Sequence, residues 1–89
     1  MPIKDSINPE EGLSSVLEKK LEKYLASHGK GAIPPGLYDR ILNEVERVVL
    51  AVTLKYADGN QTQASKILGI SRNTLRKKMQ KLNVEHFDS

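Results

Sequence analysis

The chain contains no cysteine and no tryptophan, and its 89 residues include only three tyrosines and one phenylalanine. Without cysteine there is neither a disulfide framework nor a thiolate metal site. The only imidazoles are His28 and His86, at a helix end and in the tail. No glycine-rich phosphate loop and no metal-ligand spacing accompanies them, so no catalytic residue, cofactor or metal ion is expected. Asp39, Glu44 and Glu46 fall on one predicted helix, with Glu44 and Glu46 on different faces, where they are expected simply to solvate it. Long apolar runs are missing too: nothing approaches the roughly 18 residues that span a bilayer. The N-terminal MPIKDSINPEEG lacks the apolar core of a secretory signal. These absences point to a soluble cytoplasmic protein of one domain, small enough that a second copy would be a natural source of extra core.

One further scarcity is local. Residues 1–58 hold 8 Lys/Arg and 9 Asp/Glu, a net of −1, and residues 85–89 add Glu85 and Asp88. Residues 59–84 contain no acid, yet carry Lys66, Arg72, Arg76, Lys77, Lys78 and Lys81. The whole net charge of +3 therefore resides in one segment. A block of like charge is often only a solvated face. One that coincides with a structural motif favours a polyanionic partner.

Apolar spacing defines four helices. Residues 1–12, with Pro2, Pro9 and Gly12 among polar residues, read as a flexible arm or linker. Over residues 13–28, Leu13, Val16, Leu17, Leu21, Tyr24 and Leu25 recur on one helical face, with Ser14, Glu18, Lys19, Glu22 and Lys23 on the wet side. Gly29 and Gly31 are expected to end this helix, and GKGAIPPG is a loop. A second helix is predicted from about residue 36 to residue 57. It is amphipathic through Val45 and apolar nearly all round in RVVLAVTLKYA. One small protomer can hardly cover every face of such a helix, so a dimer interface is expected at Leu42, Val45, Val48, Val49 and Val52. The central helix of a monomeric bundle would show a similar pattern.

Asp58 and Gly59 break the second helix. Asn60 can cap a short third helix over residues 61–68, expected to bury Ala64, Ile67 and Leu68. Gly69 supplies a left-handed stop, and Ser71 caps a fourth helix over residues 72–82, with Leu75, Met79 and Leu82 as its core and Asn83 as its stop. Two short helices separated by a glycine turn have the spacing of a helix-turn-helix. The small Ala64 and Ser65 sit where the helices cross, and Ile67, Leu68, Ile70 and Leu75 are on the expected inner faces. In that motif the start of the second helix enters the major groove, here Arg72, Asn73 and Arg76 with Thr74 and Lys77 close by. Arginine suits the paired acceptors of guanine and asparagine suits adenine. Lys66, Lys78 and Lys81 suit phosphates, as do the helix N-terminus at Ser71 and the Thr62 hydroxyl.

The segment GNQTQASKILGISRNTLRKKMQKLNV resembles the C-terminal segment of the Fis family, which also closes the NtrC-type enhancer-binding activators. The resemblance extends upstream through GLYDRILNEVE and LSSVLEKKLEKYL, and PPGLYDRILNEVE leans toward the NtrC-type subgroup. It implies an all-α fold, a homodimer of four-helix chains whose first two helices form the dimer core. A helix-turn-helix would stand at each end, and the DNA would be bent between closely set recognition helices. It further implies phosphate contacts from Asn60 and Thr62, a groove-facing set of Ser71, Arg72, Asn73, Thr74 and Arg76, and flanking backbone contacts from Lys77 and Lys78. Gln63 stands where Fis carries an arginine, and Ser71 where Fis carries an asparagine. Residues 1–12 do not resemble the longer β-hairpin arm with which Fis activates recombinases.

The expected organisation is thus an arm at 1–12, a Fis-type dimerisation and DNA-binding domain at 13–84 and a tail at 85–89. Double-stranded DNA is the expected partner. Two settings are compatible with these residues. In one the chain closes an NtrC-type activator with an ATPase domain covalently upstream. In the other it is a stand-alone Fis-like nucleoid protein. A pure dimerisation module is the competing reading outside DNA binding.

Overall fold

The structure, a computed structural model, describes residues 10–29 and 31–84. Four helices follow in order: α1 (Leu13–Ser27), α2 (Leu37–Tyr56), α3 (Gln61–Leu68) and α4 (Arg72–Leu82), with no strand among the described residues. The chain is therefore all-α, as its periodicity implies. Most of the arm expected at 1–12, and the tail at 85–89, lie outside the described residues; Glu10 to Gly12 form a turn. The chain divides into two compact units, 1–35 and 36–89.

The first unit is built on α1. Gly12, left-handed at φ 83°, precedes it, and the Val16 N–H closes the first turn on the Gly12 carbonyl at 3.1 Å. None of its residues is buried: Leu17, Leu21 and Tyr24 are half-buried, and Leu13, Val16 and Leu25 are exposed. Its stop differs from the expected glycine cap. The helix ends at Ser27, with His28 extended at φ −108°. The Ser27 hydroxyl and the His28 Nδ1–H both donate to the Tyr24 carbonyl at 2.8 Å, and the imidazole lies over the Tyr24 ring with centroids 4.4 Å apart. The Tyr24 carbonyl is satisfied by these side chains and the Leu25 carbonyl by the His28 N–H at 3.3 Å, so no left-handed residue is needed.

The second unit packs α2, α3 and α4 against one another. Asp39 in the first turn of α2 and Lys55 in the last complement its dipole. The core is Leu50, Leu54 and Ala57 from α2, Ala64 from α3, Leu75, Met79 and Leu82 from α4, and Val84 beyond it. Ala51, Leu68 and Ile70 pack on its edge. Leu54 and Leu75 are completely enclosed, each contributing about 1.5–3 kcal/mol of burial.

Three helix ends in this unit close alike. The N–H of Gly59 reaches back five residues to the Leu54 carbonyl (2.8 Å), Ile70 to Ser65 (3.1 Å) and Val84 to Met79 (2.9 Å). Each closure passes through left-handed backbone, at Asp58 and Gly59, at Gly69, and at Asn83. Two of them deliver the next apolar residue, Ile70 or Val84, onto the core.

One core expectation fails. Ile67 is 51% exposed, not buried. The α3 sector turned inward is Ala64, Ser65 and Leu68. At about 100° per residue, Ile67 lies roughly 110° round the helix from the middle of that sector. The apolar second half of α2, as expected, is not covered on every face within one chain: Leu50, Leu54 and Ala57 face in, whereas Val48, Val49, Val52 and Tyr56 are open.

Candidate nucleic-acid interface

The site begins with two local caps. Asn60 precedes α3 with its Oδ1 accepting the Gln63 N–H at 3.0 Å, and Ser71 precedes α4 with its Oγ accepting the Thr74 N–H at 3.0 Å. These bonds satisfy backbone donors that a helix start would otherwise leave open. Between the helices, Gly69 adopts φ 77° and its N–H reaches the Ser65 carbonyl at 2.9 Å. A Cβ there would meet nothing within 4 Å, so glycine is required by the backbone and not by crowding.

Ala64 and Ser65 are both buried, which lets α3 approach its neighbours closely. The one polar group this encloses is satisfied, because the Ser65 hydroxyl donates to the Thr62 carbonyl at 2.8 Å. A short rigid helix, a tight turn and a second helix with an inward seam of Leu75, Met79 and Leu82 result.

Opposite that seam, α4 presents Asn73, Lys77 and Gln80, with Arg72, Arg76 and Lys81 beside them, all exposed. Thr62, Gln63 and Lys66 are exposed on α3. Of the residues expected to touch DNA, Asn60, Thr62, Ser71, Arg72, Asn73, Arg76 and Lys77 are open to solvent, and Thr74 and Lys78 are half-buried. The Ser71 hydroxyl also donates to Thr74 Oγ1 at 2.9 Å, so the two side chains are tied together at the start of α4. Arg72 and Arg76 line an open recess of about 600 Å³ that also takes in Gln61 and Gln80. These two glutamines were not singled out from the sequence. The spacing of Arg72, Arg76 and Gln80 at i, i+4 and i+8 was the available signal for Gln80, since it puts all three along one side of a helix.

The acids of α2 do more than solvate it. Glu44 pairs with Arg47, and Glu46 reaches from α2 to Lys78 of α4, with Oε2 and Nζ 2.5 Å apart. Among the described residues, no three His, Cys, Asp or Glu side chains are grouped to hold a metal ion, and no helix is long and apolar enough to cross a membrane.

Comparison with known proteins agrees with this geometry. The family model described as bacterial regulatory protein, Fis family, matches residues 41–82. The chain is 47% identical over 75 residues to the DNA-binding transcriptional regulator NtrC of Azospirillum brasilense, covering 84% of this chain and 16% of that protein. It is 42% identical over 77 residues to the NtrC of Rhizobium meliloti, covering 86% of this chain and again 16% of the relative. The chain thus spans about a sixth of the length of these regulators. With the DNA-binding protein Fis of Buchnera aphidicola it shares 43% identity over 68 residues, covering 76% of this chain and 69% of Fis. Four helices, an acid-free helix-turn-helix and these matches lead to one conclusion: the chain belongs to the Fis family of bacterial regulatory proteins, as a helix-turn-helix DNA-binding domain.

Proposed function

We propose that the domain binds double-stranded DNA as a two-fold homodimer and is the DNA-reading end of an NtrC-type transcription activator. The observation that carries the DNA reading is the outward face of α4: Arg72, Asn73, Arg76 and Lys77 stand exposed on a helix capped at Ser71, with no acid on α3 or α4. Arg72, Asn73 and Arg76 read base edges near the start of α4, with Thr74 tied to Ser71 behind them. Asn60, Thr62, Lys66, Lys77 and Lys81 hold phosphates, and Gln80 extends the same surface.

The homodimer rests on α2. Tyr38, Leu42, Val45, Val49, Val52 and Tyr56 follow steps of four, three, four, three and four, and all but the half-buried Val45 are exposed. This heptad-like stripe lies roughly 130° round α2 from Leu50, Leu54 and Ala57, so one helix serves two apolar faces. A second copy of the stripe is its natural complement. Tyr38 and Tyr56 extend the interface expected from the sequence at both ends, while Val48 flanks it.

The NtrC-type setting is favoured by the higher identity over 84% of the chain. In that setting the domain would tether a covalently linked upstream ATPase to its DNA sites in the cytoplasm. A stand-alone nucleoid protein is the second reading, favoured by the match across 69% of Fis. Examination of the natural reading frame upstream separates these settings.

Fluorescence anisotropy with labelled duplexes, repeated across a salt series, tests DNA binding itself. Affinity should fall steeply, with a logarithmic slope of about −0.9 for each phosphate contact. A chain that gives no shift at low salt would be a dimerisation module instead.

A further inference from the structure

We infer that Lys78 is a positioning residue, held by Glu46, and stands apart from the phosphate contacts of the DNA-facing surface; this rests on the DNA reading proposed above. Lys78 belongs to a run of three cations, Arg76, Lys77 and Lys78, that look equivalent in sequence. The fold separates them. Lys77 lies on the exposed ridge of α4 with Asn73 and Gln80. Lys78, at about 100° per residue, lies roughly 130° from the middle of that ridge, on the flank turned to α2. There its Nζ meets Glu46 Oε2 at 2.5 Å, with the two side chains 38% and 34% exposed. The Arg47–Glu44 pair, by contrast, is formed within one turn of α2 and is 43% and 61% exposed. Among the described residues, no other basic side chain of α3 or α4 is in an ion pair.

A half-covered pair of this kind is chiefly a geometric constraint, because its two charges exchange water for each other with little net gain. The constraint is well placed. Glu46 is on the helix whose outer stripe would meet a second copy, and Lys78 is on the helix that would enter the groove. The pair bridges the two at mid-length, alongside the apolar α2–α4 packing, and sets the angle at which each recognition helix leaves the dimer. Lys78 therefore governs where Arg72 and Arg76 arrive, and five cations of the basic segment, not six, face the DNA.

The test is a salt series of DNA binding by the 89-residue chain, with K77A, K78A and the charge-reversed double variant E46K/K78E. K77A should reduce the magnitude of the salt slope by about 0.9, the loss of one phosphate contact. K78A should leave the slope within about 0.2 of the unaltered chain while weakening binding about three- to tenfold. The double variant remakes the bridge with its signs exchanged, and should return affinity to within about threefold. Helical circular dichroism checks that each variant is folded, and the double variant decides the matter if K78A is not. Equal loss of slope in K77A and K78A, or weaker binding by the double variant than by K78A, overturns the inference while DNA binding stands. Binding by the unaltered chain that lacks salt dependence overturns the DNA reading and this inference with it.

Discussion

Ser71 and Thr74 are joined by two hydrogen bonds: the Thr74 N–H donates to Ser71 Oγ at 3.0 Å, and the same hydroxyl donates to Thr74 Oγ1 at 2.9 Å. The first turn of α4 is thus closed within the chain itself. Ser71→Ala removes both bonds and should lower stability by about 1 kcal/mol, read from urea denaturation. Ser71→Asp separates capping from recognition. Aspartate caps as well as serine, so stability should hold, while its charge at the head of α4 should weaken DNA binding at least about tenfold. Unchanged binding by Ser71→Asp would move the DNA away from this end of the helix.

Gly69 sits at φ 77° with open space around the position of a Cβ. Substitution there meets backbone strain alone. Gly69→Ala should cost about 1 kcal/mol, and Gly69→Asn less, because asparagine tolerates the left-handed region. Equal losses for the two variants, measured by thermal unfolding, would point to crowding that the fold does not show.

Val52 is 62% exposed in the single chain. Val52→Asp should therefore leave the core of the second unit intact and act only at the interface proposed between α2 and a second copy. An unpaired charge enclosed there costs at least about 2 kcal/mol, enough to shift the dimerisation constant more than tenfold in sedimentation equilibrium. A Val52→Asp chain that still dimerises normally would place the interface on another face.

Arg72, the first residue of α4, lines the recess that runs along that helix. If it reads guanine, Arg72→Ala should lose about 1–3 kcal/mol of binding on one operator and relax selectivity at one base position. Competition between specific and random duplexes measures both effects. An equal loss on every duplex would instead make Arg72 a phosphate contact.

Much of this molecule is legible in its residues alone. The bounds of α3 and α4 follow from Asn60, Gly69, Ser71 and Asn83, each of which acts on backbone within a few residues of itself. The seam Leu75, Met79 and Leu82 is equally local, since a helix with polar residues on every other side has one direction in which to bury itself. The acid-free segment that opens at Gly59 is a property of composition, and its basic side chains, apart from the half-buried Lys78, are exposed on the helix-turn-helix. The stop of α1 differs from expectation because Ser27 and His28 replace a glycine cap, and side-chain geometry does not show in residue type.

What the tertiary structure alone decided concerns residues whose roles depend on distant partners. The second half of α2 is apolar on nearly every side: an outer face at Leu42, Val45, Val48, Val49 and Val52 is expected from the sequence, but not that Leu50, Leu54 and Ala57 would be the face turned to α3 and α4, nor that Tyr38 and Tyr56 would stand exposed with the valines. Ile67 has the composition of a core residue, yet α3 is rotated so that Ala64 and Ser65 make the close approach. Glu46 and Lys78 are 32 positions apart, and only the packing of α2 on α4 makes them neighbours. Caps and turns act over one helical turn and can be read in a string of residues. A choice among apolar faces, or between an exposed cation and an ion-paired one, is made by contacts between elements far apart in sequence, and those exist only once the chain has folded.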